Sequence, residues 1–180
     1  MTSDEIPRNL QNRLERRERL IDSDQTAKLA AVLVPFFRHA GEYRLLFTLW
    51  TSNLPTHKGD VSFPGGRYHK EDVSLLHTAL RESEEEVGLK QADVHILGPL
   101  DDLRTHASNY VITPYIGMIP YPYDFQPSTW EVAERRMSSN SSNSSSSLAI
   151  SQPEKFLTQE FLLNNLQQLT SLEINAWSRV

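Results

Sequence analysis

Residues 62–89, SFPGGRYHKEDVSLLHTALRESEEEVGL, tie a glycine turn to an amphipathic helix at fixed spacing. Glycine accepts positive φ and leaves space for a close neighbour, so Pro64-Gly65-Gly66 predicts a tight turn with room beside it for a ligand. Beyond the turn, Leu76, Ala79, Leu80, Ser83 and Val87 recur at helical spacing as a core-facing stripe. Glu82, Glu85 and Glu86 then share the other face. Ser74 is the expected N-cap and Gly88 the expected C-terminal stop.

Carboxylates crowded on one helical face repel, each like-charge pair costing about 0.2–0.5 kcal/mol in an isolated helix. A cation is expected to compensate. Arg81 precedes Glu85 by four residues, the less favourable order for a helix ion pair, so it is not expected to neutralise the cluster alone. Mg²⁺ suits the remainder, because it takes hard oxygen ligands, uses few protein carboxylates and completes its shell with water and phosphate oxygens. A plain solvated acidic face is the competing reading of the same residues.

The run RESEEEVGL, residues 81–89, resembles the second half of the Nudix box, whose pattern is G-x5-E-x7-R-E-u-x-E-E-x-G-u with u aliphatic. Ser83 takes one aliphatic place. Between Gly66 and Arg81 there is one residue more than the pattern has, and Val73 stands where it has glutamate, with Asp72 alongside. This reads as a loop variant. The flanks extend the resemblance: LLFTLWTSNLPTHKGDVSFPGG, residues 45–66, and LDDLRTHASNYVITPYIG, residues 100–117, are similar to the segments around the box in coenzyme A diphosphatases. Trp50 and Pro55 replace arginines of that subfamily's signature.

What the resemblance implies is specific. The fold would be an α+β, mixed α/β domain, the Nudix α/β/α sandwich with a loop-helix-loop box. Glu82, Glu85 and Glu86 would be metal ligands for Mg²⁺ (or Mn²⁺), with the Gly66 carbonyl as a further ligand and Arg81 holding the carboxylates in place. The general base would be a box glutamate or a residue from another loop, for which Glu131 is the candidate; an ordinary solvent-facing Glu131 is the alternative. Gly65, Arg67 and His57 are candidate substrate contacts, although Arg67 also reads as a solvated turn residue and His57 as one that fixes its loop. The implied reaction is hydrolysis of the pyrophosphate of coenzyme A or acyl-CoA to 3′-phosphoadenosine 5′-phosphate and phosphopantetheine. ADP-ribose, a dinucleotide or a modified nucleoside triphosphate are alternative substrates, and a non-catalytic nucleotide-binding module is the alternative of another class. The resemblance also makes a homodimer the assembly to test.

The rest of the chain is consistent with one domain and tails. The 180 residues are enough for one sizeable core. With 18 Lys plus Arg against 23 Asp plus Glu, a net charge of −5 argues against a dedicated nucleic-acid binder. Cysteine is absent, which excludes disulfides and thiolate chemistry. His57 and His106 lack the spacing of a zinc site. No apolar run approaches a membrane span and the start resembles no leader, so the chain reads as soluble and cytoplasmic.

The expected organisation is an N-terminal helix and linker (1–25), the Nudix domain (26–137), a serine-rich linker (138–155) and a C-terminal helix or tail (156–180). Within the first, residues 5–21 predict a charged amphipathic helix with Leu10, Leu14 and Ile21 on one side, broken by Asp22 to Gln25. Residues 28–38 and 44–50 predict two strands joined by a hairpin at His39–Tyr43, and 61–63, 94–100 and 110–119 predict three more. Pro35 predicts an edge or a bulge, and Pro114 an irregularity in its strand.

Overall fold

A computed structural model of the protein describes residues 5–50, 61–105, 108–126 and 132–137. These all lie in the unit Met1–Met137. The expected serine-rich linker and C-terminal helix, together with His57, Pro55, His106 and Glu131, fall outside the described residues. The elements are α1 (Glu5–Arg16), β1 (Lys28–His39), β2 (Glu42–Trp50), β3 (Val61–Ser62), β4 (Gly65–Arg67), α2 (Leu75–Val87), β5 (His95–Pro99), β6 (Leu103–Thr105), β7 (Tyr110–Met118) and β8 (Val132–Met137). This is the mixed α+β fold expected from the sequence.

Strand β1 is the centre. It runs parallel to β7, while its other edge is shared by β4 at Ala30 to Val32 and by β2 at Phe36 to His39. The β1–β2 turn is the two residues Ala40 and Gly41, both at positive φ (50° and 88°), the conformation that matches the twist of a tight hairpin. Beyond it β2 leaves β1 and pairs with β3 and β8.

Both prolines lie inside central strands, Pro35 away from an edge, and hydrogen-bond directions explain how. The Leu33 N–H points toward β4, donating to the Pro64 carbonyl at 2.8 Å, so the Pro35 nitrogen two residues on points the same way. That direction opens on the interval between Val32, the last partner of β4, and Phe36, the first partner of β2. No ladder bond is lost. Pro114 repeats the arrangement on β7, between Ile112, paired with β6, and Tyr115, paired with β5. Each proline marks the seam where one flanking strand gives way to the next.

The Pro-Gly-Gly turn also proves to be a short strand. Gly65 has φ 156°, and a Cβ there would sit 2.4 Å from the Ala31 carbonyl oxygen and 2.5 Å from the Val32 Cα. Only glycine permits β4 to approach β1 so closely.

Alternate β1 residues Ala31, Leu33 and Phe37 point toward α2 and form a buried cluster with Leu46, Ala79, Val87 and Leu89. Phe37 is stacked on Tyr121 at 4.6 Å between centroids, a pairing worth about 0.5–1.5 kcal/mol beyond its buried area. Helix α1 buries Pro7, Leu10 and Leu14, and a Cβ on Gly98 would meet the Leu14 Cβ at 3.1 Å.

The predicted N-terminal helix is cut short at Arg16, and Ile21 is 68% exposed rather than on its apolar face. Charge pairing overrides the helical pattern here. Arg17 pairs with Asp101 at 2.7 Å and Arg19 with Asp102. The Leu20 and Asp22 N–H groups donate to Asp101 and Asp102, each at 3.0 Å, and the Asp102 N–H donates to the Leu20 carbonyl. Arg104 grips Asp22 at 2.7 and 2.8 Å, and those hydrogen bonds lower the Asp22 pKa to about 2.

Asp102→Ala is therefore expected to release residues 17–24. Stripping one partner from a largely buried ion pair costs about 3 kcal/mol. The variant should show that loss in urea unfolding and faster tryptic cleavage after Arg17 and Arg19; wild-type behaviour in both would remove the clasp as a stabilising feature.

Candidate active site

Helix α2 begins and ends where its sequence indicates. The Ser74 side chain accepts from the His77 N–H at 3.1 Å, and Gly88, at φ 71°, donates its N–H to the Glu84 carbonyl at 2.9 Å. Its buried residues are Thr78, Ala79, Ser83, Glu86 and Val87, whereas Leu76 and Leu80 are only partly covered. The helix is thus rolled toward its acidic side relative to the predicted stripe. Ser83 tolerates complete burial because its hydroxyl donates to the Ala79 carbonyl at 2.6 Å.

The three glutamates consequently occupy three environments, not one shared solvent face. Glu86 is 2% exposed, the Glu82 side chain 17% and the Glu85 side chain 57%. Glu82 lies against β4: a Cβ added to Gly66 would fall 2.5 Å from its Cδ and within 2.8 Å of both carboxylate oxygens. Gly66 is therefore the place where the strand makes room for the carboxylate. Burial pushes the Glu82 pKa up, opposed by the neighbouring Arg81 charge.

Arg81 is the hub. Its Nε and Nη2 donate to the two oxygens of Asp72 at 2.9 and 3.1 Å, and Nη2 also reaches the Arg67 carbonyl at 3.3 Å. Nη1 lies 2.9 Å from Glu82 and 3.0 Å from Glu85. The i, i+4 pair forms despite its unfavourable order, because Asp72 fixes the guanidinium from the other side. Asp72 itself is 4% exposed and accepts from the His69 N–H at 3.0 Å and the Thr78 hydroxyl at 2.8 Å, with His77 Nδ1 at 3.0 Å. The Arg81 hydrogen bonds hold its carboxyl well below the usual carboxylate range.

Sequence reasoning left Asp72 without a role; its signal was a lone carboxylate nine residues before Arg81. Val73, at the position where the family pattern has glutamate, is 86% exposed.

The structure brings Arg81, Glu82, Glu85, Gly66 and the Arg67 backbone together, with Glu86 on the buried side of the same helix. The donor set is all oxygen, the type a hard divalent cation takes. As the side chains stand, no three His, Asp or Glu groups among the described residues converge closely enough to hold an ion, and Arg81 bridges Glu82 and Glu85. Gly65 serves the approach of β4 to β1, and the Arg67 guanidinium lies over the Tyr110 ring, 5.5 Å from its centroid.

A short glycine strand against an acidic helix, with an arginine locking the carboxylates, defines a class, and residues 27–136 match the NUDIX domain family. The chain belongs to that family. It is 43% identical, over 108 residues covering 60% of this chain and 53% of the relative, to the uncharacterized Nudix hydrolase NudL of Yersinia pestis. The same figures hold for NudL of Yersinia pseudotuberculosis, so the chain spans about half the length of the curated relatives it matches. Among solved structures, the Nudix hydrolase RenU of M. smegmatis has a TM-score of 0.61 at 16% identity, covering 79% of this chain and 87% of that one. An Ap4A hydrolase of C. elegans, in a binary complex, has a TM-score of 0.53 at 20% identity, covering 63% and 80%. At these identities the likeness is one of fold.

The depressed Asp72 pKa carries a pH signature. Its folded value lies below the unfolded one of ~3.9, so its stabilisation is present above about pH 4 and lost as pH falls through the folded value. In urea unfolding, Asp72→Asn should be less stable than wild type by a margin that is full at neutral pH and shrinks below about pH 4. A margin independent of pH would show that the charge of Asp72 is not what stabilises the loop.

Proposed function

We propose that the protein is a metal-dependent Nudix pyrophosphohydrolase acting on a nucleoside diphosphate derivative, and that its substrate is coenzyme A or an acyl-CoA. The observation that carries the first part is the Glu82 carboxylate seated against Gly66 and locked by Arg81. Family membership supports the chemistry. The coenzyme A assignment is supported by the flanking runs HKGDVSFPGG and LDDLRTH. The second run supports it as a sequence likeness only, since Asp101 and Asp102 clasp the N-terminal segment.

Glu82, Glu85 and Glu86, with the Gly66 carbonyl, would hold Mg²⁺ (or Mn²⁺). Such a cation neutralises pyrophosphate charge and lowers the pKa of a bound water. In the reaction a water oxygen bonds to one phosphorus of the pyrophosphate, the bridging P–O bond breaks, and the second phosphate leaves with the electron pair. The water proton passes to a carboxylate, either a box glutamate or Glu131. Arg81 is a positioning residue: through Asp72 it fixes the azimuth of Glu82 and Glu85. For Glu82 and Glu85 to hold a cation, the Arg81 Nη1 that bridges them would have to give up those contacts.

A second reading, a non-catalytic nucleotide-binding module, is favoured by one observation, the incomplete convergence of carboxylates among the described residues. The NUDIX domain of Shewanella oneidensis NrtR, solved with ADP ribose, shares the fold at a TM-score of 0.51 and 21% identity over 76% of this chain and 82% of that one.

Incubation with coenzyme A, ADP-ribose or a dinucleotide, each with Mg²⁺ and product chromatography, separates the readings. Release of phosphopantetheine and 3′-phosphoadenosine 5′-phosphate, reduced at least a hundredfold in a folded Glu86→Gln variant, is the expected result, given the ~10²–10⁴-fold scale of such carboxylate contributions. Turnover of only the other substrates would replace the coenzyme A assignment, and binding without turnover of any would establish the module.

A further inference from the structure

Three strands bring two cations and one aromatic ring together on the sheet face opposite α2. Lys28 lies across from Tyr110 in the β1–β7 ladder, and Arg67 lies across from Ala30 in the β1–β4 ladder. Residues 28 and 30 share a face of β1, and Ala31, Leu33 and Phe37, which pack with α2, occupy the other. Lys28 Nζ and Arg67 Cζ each stand 5.5 Å from the Tyr110 ring centroid. Ala30 is small enough for the Arg67 stem to cross β1 and is 8% exposed.

Neither cation has a carboxylate partner among the described residues, although acidic side chains outnumber basic ones in this chain and Arg17, Arg19, Arg81 and Arg104 are all ion-paired. Exposed cation–π contacts are worth only about 0.5–1 kcal/mol. That is a modest return for holding two like charges at one ring.

Arg67 also adjoins the candidate catalytic loop. It directly follows Gly66, which faces Glu82 on the other side of the strand, and its own carbonyl accepts from Arg81. A ligand held at Gly66 and wrapping the edge strand β4 meets Arg67 next.

We infer that Lys28, Arg67 and Tyr110 form a subsite for a phosphate monoester carried on the ribose of the bound nucleotide, with the two cations on the phosphate dianion and the ring against the sugar. The inference builds on the proposed function, supplying its preference for a nucleotide with a phosphate beyond the pyrophosphate. One ribose ring separates the two groups in adenosine 3′,5′-bisphosphate. The subsite selects that ligand over AMP.

Equilibrium binding of the full chain to adenosine 3′,5′-bisphosphate and to AMP tests this without requiring turnover, so failure of the subsite and failure of the hydrolase reading remain distinguishable. Wild type should bind the bisphosphate about tenfold more tightly, the scale of a charge-assisted contact, and the preference should shrink at high salt. In Lys28→Met with Arg67→Met the two affinities should become equal while the thermal midpoint stays near that of wild type. Equal affinities in wild type overturn the inference, and so does a preference that survives in the folded double variant. If the double variant does not fold, the single Lys28→Met variant carries the same test, with at least a threefold loss of preference expected and an unchanged ratio overturning the subsite.

Discussion

The ion pair between Arg81 and Asp72 is the contact on which the acidic helix and its loop depend. Burying a carboxylate is unfavourable unless its lone pairs are filled, and here the guanidinium, a backbone N–H, a hydroxyl and an imidazole fill them. The pair fastens the loop to α2 and leaves the rest of the guanidinium directed at Glu82 and Glu85. It also accounts for the irregular first half of the box. The loop carries one residue more than the family pattern, Val73 faces solvent at the expected position, and Asp72 turns inward to meet the arginine.

Glycine placement completes the arrangement from the strand side. Gly65 lets β4 lie against β1, and Gly66 lets Glu82 lie against β4, so two adjacent missing side chains set the separations of three elements. Pro35 and Pro114 act at the opposite extreme of backbone freedom. Each sits where two flanking strands succeed one another along a central strand, the one interior place where an absent N–H costs nothing.

The segment containing Asp101 and Asp102 shows how a likeness in sequence differs from a role in structure. It resembles part of a nucleotide-hydrolysing subfamily, yet its carboxylates fasten the N-terminal segment through Arg17, Arg19 and two backbone N–H groups. Leu20 and Ile21 are exposed as a result, although helical periodicity would have continued α1 through them. Arg67 illustrates the converse. In sequence it is one cation after a glycine pair, and only the register of β4, β1 and β7 shows that it meets Lys28 at the same ring.

The sequence by itself determined the class of fold, the hairpin, the limits of α2 with its Ser74 and Gly88 caps, and the acidic motif. These are written in local patterns, namely periodicity, capping chemistry and glycine placement, each acting over a few residues. Tertiary structure alone decided which helix face is buried, that Glu82, Glu85 and Glu86 occupy different environments, that Asp72 is the partner of Arg81, and that Lys28, Arg67 and Tyr110 converge. Those outcomes depend on the register of strands distant in the chain and on competition among charges for partners. Neither is encoded in spacing, because a side chain's partner is set by which elements the folded core brings alongside it.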